Sequence, residues 1–519
     1  MSGAANQLDF PTPYNAAERF IDRNLKEGRG AKPVIFTFEE TVTYTQLAER
    51  ASRAGNALLA LGIGKGDRVL MMIKDCPTFY YIFWGAIRAG IVPVPLNTLL
   101  RAKDYAFIIE DSGGAAVLYS PEFASEVEPA LAQSKHKPKV AMAATGPGNG
   151  FDALLAKASA ELAAQPSTAE GDCFWLYSSG TTGSPKGAVH AQRDMEVTCR
   201  QYALATLGAI EGDIFFSIPR LFFAYGLGCA MTFPIWVGGA AVLDPRRPTP
   251  DTVMEVLTRF RPTVFAAVPT FYTAMIHHLE GAGAKGHDFS HLRRCVTGGE
   301  ALPPEMFKKW KELTGGIAQD GIGSTEALHI YISNRFDDIK PGASGKPVPG
   351  YDCRILDPEG KEVPVGESGR LFIRGQSIAK YYWNNPKKTA ETMVEGWLNT
   401  GDTYLKDADG YYFYCGRSDD MLKVGGIWVS PFEIESALVE HSKVLEAAVV
   451  GRADDEGLTK PEAYIVLKDA RDAGDGLVKE LQDHCKKTRA PYKYPRWVNF
   501  VAELPKTATG KIQRFKLRH

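Results

Sequence analysis

Apolar positions along the first hundred residues follow two periods in alternation. From Thr45 to Leu61 the residues Leu47, Ala51, Ala54, Leu58 and Leu61 recur at the three- and four-residue spacing of an amphipathic helix, which Gly62 ends. Arg68 to Ile73 is a short apolar run of the buried-strand kind, Thr78 to Ala89 predicts a second helix, and Ile91 to Leu96 a second strand. Such alternation predicts a parallel sheet with helices on its faces. Val264 to Pro269 repeats the pattern and feeds a helix through Thr270. The end of the chain differs: helix Pro431 to Glu440, strands Ala447 to Gly451 and Glu462 to Leu467, and helix Gly476 to Thr488 predict a small α+β unit. Residues 136 to 170, rich in Ala, Gly, Pro and Lys, predict an irregular surface excursion. Phe222 to Leu243 carries no charge and is long enough to span a bilayer, but Gly226, Gly228, Pro234, Gly238 and Gly239 divide it, so a buried helix followed by a core strand is expected.

A chain of 519 residues exceeds one compact core, so two or more domains are expected. With 60 Lys and Arg against 61 Asp and Glu, the net charge of -1 gives no reason to expect nucleic acid or a membrane as a partner. The 8 cysteines are scattered without a C-x-x-C pair, which argues against a disulfide frame or zinc site and suits the cytoplasm. Met1 to Tyr14 has neither a basic n-region nor an apolar h-region, so no signal peptide is expected. Oligomeric state, monomer or homodimer, is left open by these features.

The chemistry concentrates in residues 177 to 187, Tyr-Ser-Ser-Gly-Thr-Thr-Gly-Ser-Pro-Lys-Gly, which follow the apolar Phe174, Trp175 and Leu176. Glycines let backbone N–H groups approach a ligand, hydroxyls add neutral donors, and Lys186 adds a point charge for anionic oxygens. Together they form a phosphate cradle. It is not a Walker A loop, because Pro185 stands five residues after Gly180 and Gly187 follows the lysine.

This stretch resembles the phosphate loop of the acyl-adenylate-forming enzymes, which include acyl- and aryl-CoA synthetases, luciferases and peptide-synthetase adenylation domains. The family's other signatures follow in order along nearly the whole chain. The resemblance implies an α/β fold. A large N-terminal domain over residues 1–418 has mixed, mostly parallel sheets with flanking helices plus a β-subdomain, and a small mobile α+β lid covers 419–519. Ser178, Ser179, Gly180, Thr181, Thr182 and Gly183 then cradle the ATP phosphates with Lys186. Val296-Thr-Gly-Gly-Glu300 matches the wall beside adenine, giving Gly299, Glu300 and Ala301. In Asp320-Gly-Ile-Gly-Ser-Thr-Glu326 the match implies nucleotide contacts from Asp320, Gly321 and Ile322, an α-phosphate contact from Thr325, and Mg²⁺ on Glu326. Ile322 departs from the pattern, since relatives commonly stack a tyrosine on adenine there. Asp402, a carboxylate at the glycine turn of Asn399-Thr-Gly-Asp402, matches the ribose ligand, and Arg417 a second ribose or phosphate contact. Asp419 matches the hinge, Gly425 and Gly426 the CoA tunnel, and Lys511, in Pro505-Lys-Thr-Ala-Thr-Gly-Lys511, the catalytic lysine.

Phe222-Phe-Ala-Tyr-Gly-Leu-Gly228 falls where the family lines its carboxylate pocket. Many members carry a histidine where this chain has Phe223, and peptide-synthetase domains place an aspartate nearby for an amino group. No acidic residue lies between Ile214 and Leu243, and a buried ammonium without a partner is unfavourable, so an amino acid substrate is disfavoured. Ala224 beside Tyr225, with Gly323, His329 and Ile330, resembles the pocket of the benzoate-CoA ligases, as does the opening Tyr14 to Asn24. The implied activity is an AMP-forming aryl-CoA ligase that uses ATP, Mg²⁺ and coenzyme A on an aromatic carboxylate, benzoate first. A hydroxy- or aminobenzoate, another small acid, or a stand-alone adenylating enzyme with a different acceptor are the alternatives. A peptide-synthetase module would need a carrier-protein segment, and the sequence stops at His519. A luciferase-like oxidase would need a luciferin-sized pocket. A nucleotide-binding protein without catalysis would have no use for Lys511, Glu326 and Asp402 together.

Overall fold

The computed structural model describes residues 7–146, 150–178, 184–283, 287–300, 302–418, 420–424, 427–455, 458–489, 492–506 and 512–518. The first expected helix runs Tyr44–Ala60 and opens with a capping box. The Thr43 hydroxyl accepts from the Gln46 N–H at 3.3 Å, and the Gln46 side chain accepts from the Thr43 N–H at 2.9 Å. Leu47, Ala51, Ala54 and Leu58 form its buried stripe, which packs on helix Pro77–Arg88.

The central sheet has nine strands in the order Lys346–Pro347, Ile330–Ser333, Ala318–Gly323, Arg294–Gly298, Val264–Ala267, Ile214–Ser217, Ala240–Val242, Pro33–Phe36 and Thr41–Thr43. From Ala318–Gly323 to Pro33–Phe36 the strands run parallel, and the strands beyond them on either side are antiparallel. The parallel strands therefore present their carboxyl ends along one edge, where open α/β sheets bind ligands. A four-stranded parallel sheet follows the order Val92–Pro95, Arg68–Met72, Ala116–Tyr119 and Val140–Ala143. A five-stranded antiparallel sheet is organised around Trp397–Lys406, and a three-stranded one joins Asp172–Ser178, Lys186–Ala191 and Tyr381–Tyr382.

After residue 420, helices Pro431–Val439 and Asp475–Thr488 cover a sheet of Val444–Ala453, Thr459–Leu467 and Trp497–Phe500. Leu422, Val429, Ile434, Leu438, Val449, Ile465 and Leu481 form an apolar core of their own there. The strand Trp497–Phe500 was not expected, because its residues alternate only over one short stretch.

Residues 136 to 170 differ from the expected irregular excursion. Val140–Ala143 is the edge strand of the parallel sheet, and Phe151 of helix Phe151–Lys157 is fully buried. Single anchors in an alanine-rich context carry too little periodicity to be read. The uncharged stretch from Phe222 folds as expected: Ala224–Leu227, Gly228–Thr232 and Phe233–Val237 form one helical run with a π turn in its middle, followed by the strand Ala240–Val242. Among the described residues no helix is long and apolar enough to cross a membrane. The eight cysteines are unpaired.

Candidate active site

Strands Asp172–Ser178 and Lys186–Ala191 pair antiparallel with Ser178 opposite Lys186, so the glycine- and hydroxyl-rich stretch connects two adjacent strands. Ser179, Gly180, Thr181, Thr182 and Gly183 themselves lie outside the described residues. The buried Phe174, Trp175 and Leu176 anchor the first strand. Partial burial holds the Lys186 ammonium below the usual lysine range; Glu326 opposes this shift, and Lys388 and Arg417 add to it. A half-desolvated ammonium near two further cations favours the arrival of an anion.

Glu326 lies in the turn that follows strand Ala318–Gly323. The Ala327 N–H closes this turn onto the Ser324 hydroxyl at 3.2 Å, and the Leu328 N–H onto the Thr325 carbonyl at 3.1 Å. A buried pair supports it from beneath. His190 Nε2 donates to the Thr325 carbonyl at 2.9 Å, and His190 Nδ1 lies 3.0 Å from Asp194 Oδ2. Glu326 Oε1 accepts from the Tyr382 phenol at 2.6 Å and from the Ser178 hydroxyl at 3.4 Å. Among the described residues Oε2 receives no hydrogen bond, and no group of three or more ligating side chains could cage a metal. One anchored carboxylate with a free oxygen fits Mg²⁺ arriving on nucleotide phosphates, since that ion keeps only one or two protein carboxylates.

Residues 399–402 lie inside strand Trp397–Lys406 rather than in the expected turn. The long pairing with Tyr412–Arg417 overrides the local turn signal; Gly401 takes φ +73°, and the register slips between Thr403 and Tyr404. A Cβ at Gly401 would stand 2.6 Å from Arg417 Nη2, so glycine makes room for the guanidinium. Arg417 Nη1 then donates to Asp402 Oδ1 at 3.0 Å and to the Thr400 carbonyl at 3.1 Å, which joins the two candidate ribose contacts in one pair. Gly299 and Glu300 follow the carboxyl end of strand Arg294–Gly298, and Gly321 and Ile322 lie in the neighbouring strand; Ala301 is outside the described residues.

Asp320 is buried, and its carboxylate accepts from the Leu302 N–H at 3.2 Å and the Gly321 N–H at 3.0 Å. It therefore ties the backbone at Leu302 to the strand Ala318–Gly323. Burial pushes its carboxyl up to about 7, and the two backbone donors offset part of that rise. Because the folded value exceeds the unfolded one, the native state holds the extra proton. The stabilisation is complete below about pH 4 and is lost as pH rises through about 7. Asp320→Asn removes this dependence. The melting temperature of the variant relative to the parent should rise from about pH 6 to about pH 8, with up to about 1.4 kcal/mol per pH unit behind it. Calorimetry at the two pH values checks this, and a constant difference contradicts it.

The residues expected to hold the acid converge at the same edge of the sheet. Ala224 opens helix Ala224–Leu227, and the Tyr225 phenol shares its hydrogen between the Val296 carbonyl at 3.0 Å and the Ala267 carbonyl at 3.2 Å, which fixes the ring. A Cβ on Gly298 would lie 3.1 Å from the Gly321 carbonyl oxygen, 3.7 Å from Ile330 Cδ1 and 4.0 Å from the Tyr225 ring, so glycine keeps this close approach open. Gly323 pairs with Ile330 across the sheet. His329 is buried among the rings of Phe233, Tyr202 and Tyr225, with centroids at 4.5, 5.0 and 5.7 Å. Burial pushes its imidazole down to about 3, so the ring is neutral at working pH. Asp419, Gly425, Gly426 and Lys511 lie outside the described residues.

Two features were not anticipated. His190 and Asp194 had a readable signal, a His-x-x-x-Asp spacing next to the phosphate loop. Tyr382 had none: Tyr381-Tyr382-Trp383 reads only as strand, and its phenol meets a carboxylate 56 residues away.

Comparison with known proteins agrees with this geometry. Residues 21–383 match the model of the AMP-binding enzyme family, and residues 433–511 match that of the AMP-binding enzyme C-terminal domain. The chain is 48% identical over 513 residues to a benzoate–CoA ligase of Thauera aromatica, covering 98% of this chain and 97% of that protein. A crystal structure of a benzoate CoA ligase from Burkholderia xenovorans superposes with a TM-score of 0.90 at 40% identity, covering 98% of this chain and 100% of the other. That of an anthranilate CoA ligase in complex with anthranoyl-AMP gives 0.93 at 41% identity, covering 100% of this chain and 98% of the other. With matches over both its large N-terminal part and its C-terminal unit, the chain belongs to the AMP-binding enzyme family.

Proposed function

We propose that this chain is an AMP-forming aryl-CoA ligase that activates benzoate with ATP and passes the benzoyl group to coenzyme A. The observation that supports the reading is the Glu326 carboxylate, held by the Tyr382 phenol while the Lys186 ammonium lies 5.1 Å from the centre of that ring, on a chain whose Tyr225 and Ile330 stand beside Gly298 and near the neutral His329. A carboxylate must attack the α-phosphorus of ATP, so two anions approach each other. Positive charge has to be concentrated there, and such electrostatic help is worth about 10²–10³ in rate for one donor. Lys186 receives the outgoing phosphates, Thr325 the α-phosphate, and Lys511 bridges the carboxylate and the α-phosphate. Bound at Glu326, Mg²⁺ would add charge shared with the phosphate oxygens. Pyrophosphate leaves and benzoyl-AMP remains; the thiol of CoA then attacks the acyl carbon and AMP departs.

Residues 419–519 form the lid in this reading, with Asp419 as pivot and Gly425–Gly426 lining the path of the thiol; the separate apolar core beyond residue 420 supports that division. The unpaired cysteines support a cytoplasmic setting. An aminobenzoate is the second reading, favoured by the similarity to the anthranilate ligase and by the neutral hydrogen-bonding imidazole of His329.

Pyrophosphate release from ATP with benzoate alone, followed by AMP release on adding CoA, tests the reaction; benzoate-independent release overturns it. The proposed acyl pocket has its own test. Ala224→Leu adds about three carbons where the ring should lie, and overpacking typically costs about 1–3 kcal/mol. The kcat/KM for benzoate should fall about 5- to 150-fold, that for a short aliphatic acid less, and ATP affinity should barely change. Equal losses for both acids remove Ala224 from the acyl pocket.

A further inference from the structure

One short segment, residues 379–383, grips Glu326 at both its backbone and its side chain. The Ala379 N–H donates to the Glu326 carbonyl at 2.7 Å, and three residues later the Tyr382 phenol donates to Glu326 Oε1 at 2.6 Å. The same segment is paired to the strand that begins at Lys186. Tyr382 stands opposite Ala188, the Lys380 N–H donates to the Val189 carbonyl, and the Trp383 N–H donates to the Gly187 carbonyl, both at 2.8 Å. Lys186 and Glu326 are thus tied together through residues 379–383.

Tyr382 also keeps the two charges apart. The Lys186 ammonium lies 5.1 Å from the centre of the Tyr382 ring, while the phenol of that ring serves the carboxylate. Among the described residues Lys186 makes no ion pair within 4.0 Å. Tyr382 is itself fixed: it is buried, and its backbone N–H donates to the Thr389 hydroxyl at 3.0 Å. Burial, and then the Glu326 carboxylate, raise its phenol well above the usual tyrosine range, so it remains a donor.

We propose that Tyr382 is a positioning residue for adenylation: its hydroxyl occupies Glu326 Oε1 and leaves Oε2 for the metal that accompanies ATP, while its ring stops Lys186 from collapsing onto the carboxylate. A direct Lys186–Glu326 pair would spend both charges on each other and leave neither for phosphate or metal. The inference rests on the reading of Glu326 as the metal-bearing carboxylate.

Tyr382→Phe keeps the ring and removes the hydroxyl. Partners that orient a metal ligand typically contribute 10- to 100-fold to metal affinity or activity. Mn²⁺ binding, followed by electron paramagnetic resonance with an ATP analogue that cannot be cleaved, should weaken by about that factor, and half-saturating Mg²⁺ for benzoyl-AMP formation should rise in step. Thioester formation from supplied benzoyl-AMP, which needs no pyrophosphate-bound metal, should lose much less. In a Glu326→Gln background the phenylalanine should cause no additional loss of Mn²⁺ affinity. Mn²⁺ affinity within about twofold of the parent's, or equal losses in both half-reactions, overturns the positioning role. A parent protein that fails to bind Mn²⁺ with the ATP analogue overturns the Glu326 reading itself and this inference with it.

Discussion

Lys511→Ala is expected to abolish most of the first half-reaction, by about 10² or more, while thioester formation from supplied benzoyl-AMP stays close to the parent rate. The lysine charge matters only while the benzoate carboxylate and the α-phosphate converge; once the mixed anhydride exists, the nucleophile is a thiol and no second anion has to be held. Lys511 is outside the described residues, and the residues that flank 507–511 are tied to one another and to the C-terminal unit. Lys506 and Ile512 bridge antiparallel, the Gln513 N–H donates to the Pro505 carbonyl at 2.8 Å, and Arg514 forks onto the buried Glu435 at 2.9 and 2.7 Å. Pyrophosphate release in a single turnover, compared with benzoyl-CoA formation from the presynthesised adenylate, separates the two effects. Equal damage to both half-reactions contradicts the assignment of Lys511.

Asp419→Pro is expected to do the converse. Proline locks φ at the position proposed to rotate, so adenylation should proceed near the parent rate while thioesterification collapses. The flanks of this position are anchored on both sides: the Ser418 N–H donates to the Gly401 carbonyl at 2.9 Å, the Asp420 N–H to the Arg417 carbonyl at 3.0 Å, and the Arg518 guanidinium pairs with the Asp420 carboxylate. A rotation concentrated at one residue between two anchored neighbours is the kind of hinge proline blocks. In rapid-quench experiments the variant should show a normal burst of benzoyl-AMP and no subsequent benzoyl-CoA. Benzoyl-CoA formation at the original rate moves the pivot away from residue 419.

Where the sequence was legible, local physics decided the structure. The existence of the helix at Tyr44–Ala60 and of the run from Ala224 to the strand Ala240–Val242 follows from periodicity, capping and glycine punctuation. The turn at Glu326 is also local, since the Ser324 hydroxyl and the Thr325 carbonyl accept the N–H groups of Ala327 and Leu328. Long-range pairing was not readable. The strand around Asp402 overrode a turn signal because Tyr412–Arg417 pairs along its length, and Tyr382 reached Glu326 only through the three-stranded sheet. Val140–Ala143 was hidden by composition, since the edge of a parallel sheet asks little of its side chains. Asp320 illustrates a further limit. Its place in the sequence marked it as a candidate nucleotide contact, and nothing local announced its burial or its two backbone hydrogen bonds.

The proposed aryl specificity is tested most directly by offering the protein a panel of acids with ATP and Mg²⁺, with and without CoA, and following AMP. The panel holds benzoate, para-hydroxybenzoate, ortho-aminobenzoate, a short straight-chain fatty acid and an aromatic amino acid. The expected result is CoA-dependent AMP formation with the highest kcat/KM for benzoate, lower values for the substituted benzoates and the fatty acid, and none for the amino acid, whose ammonium finds no acidic partner. AMP formation that is fastest with the fatty acid or the amino acid, or that proceeds on benzoate without any need for CoA, would contradict it.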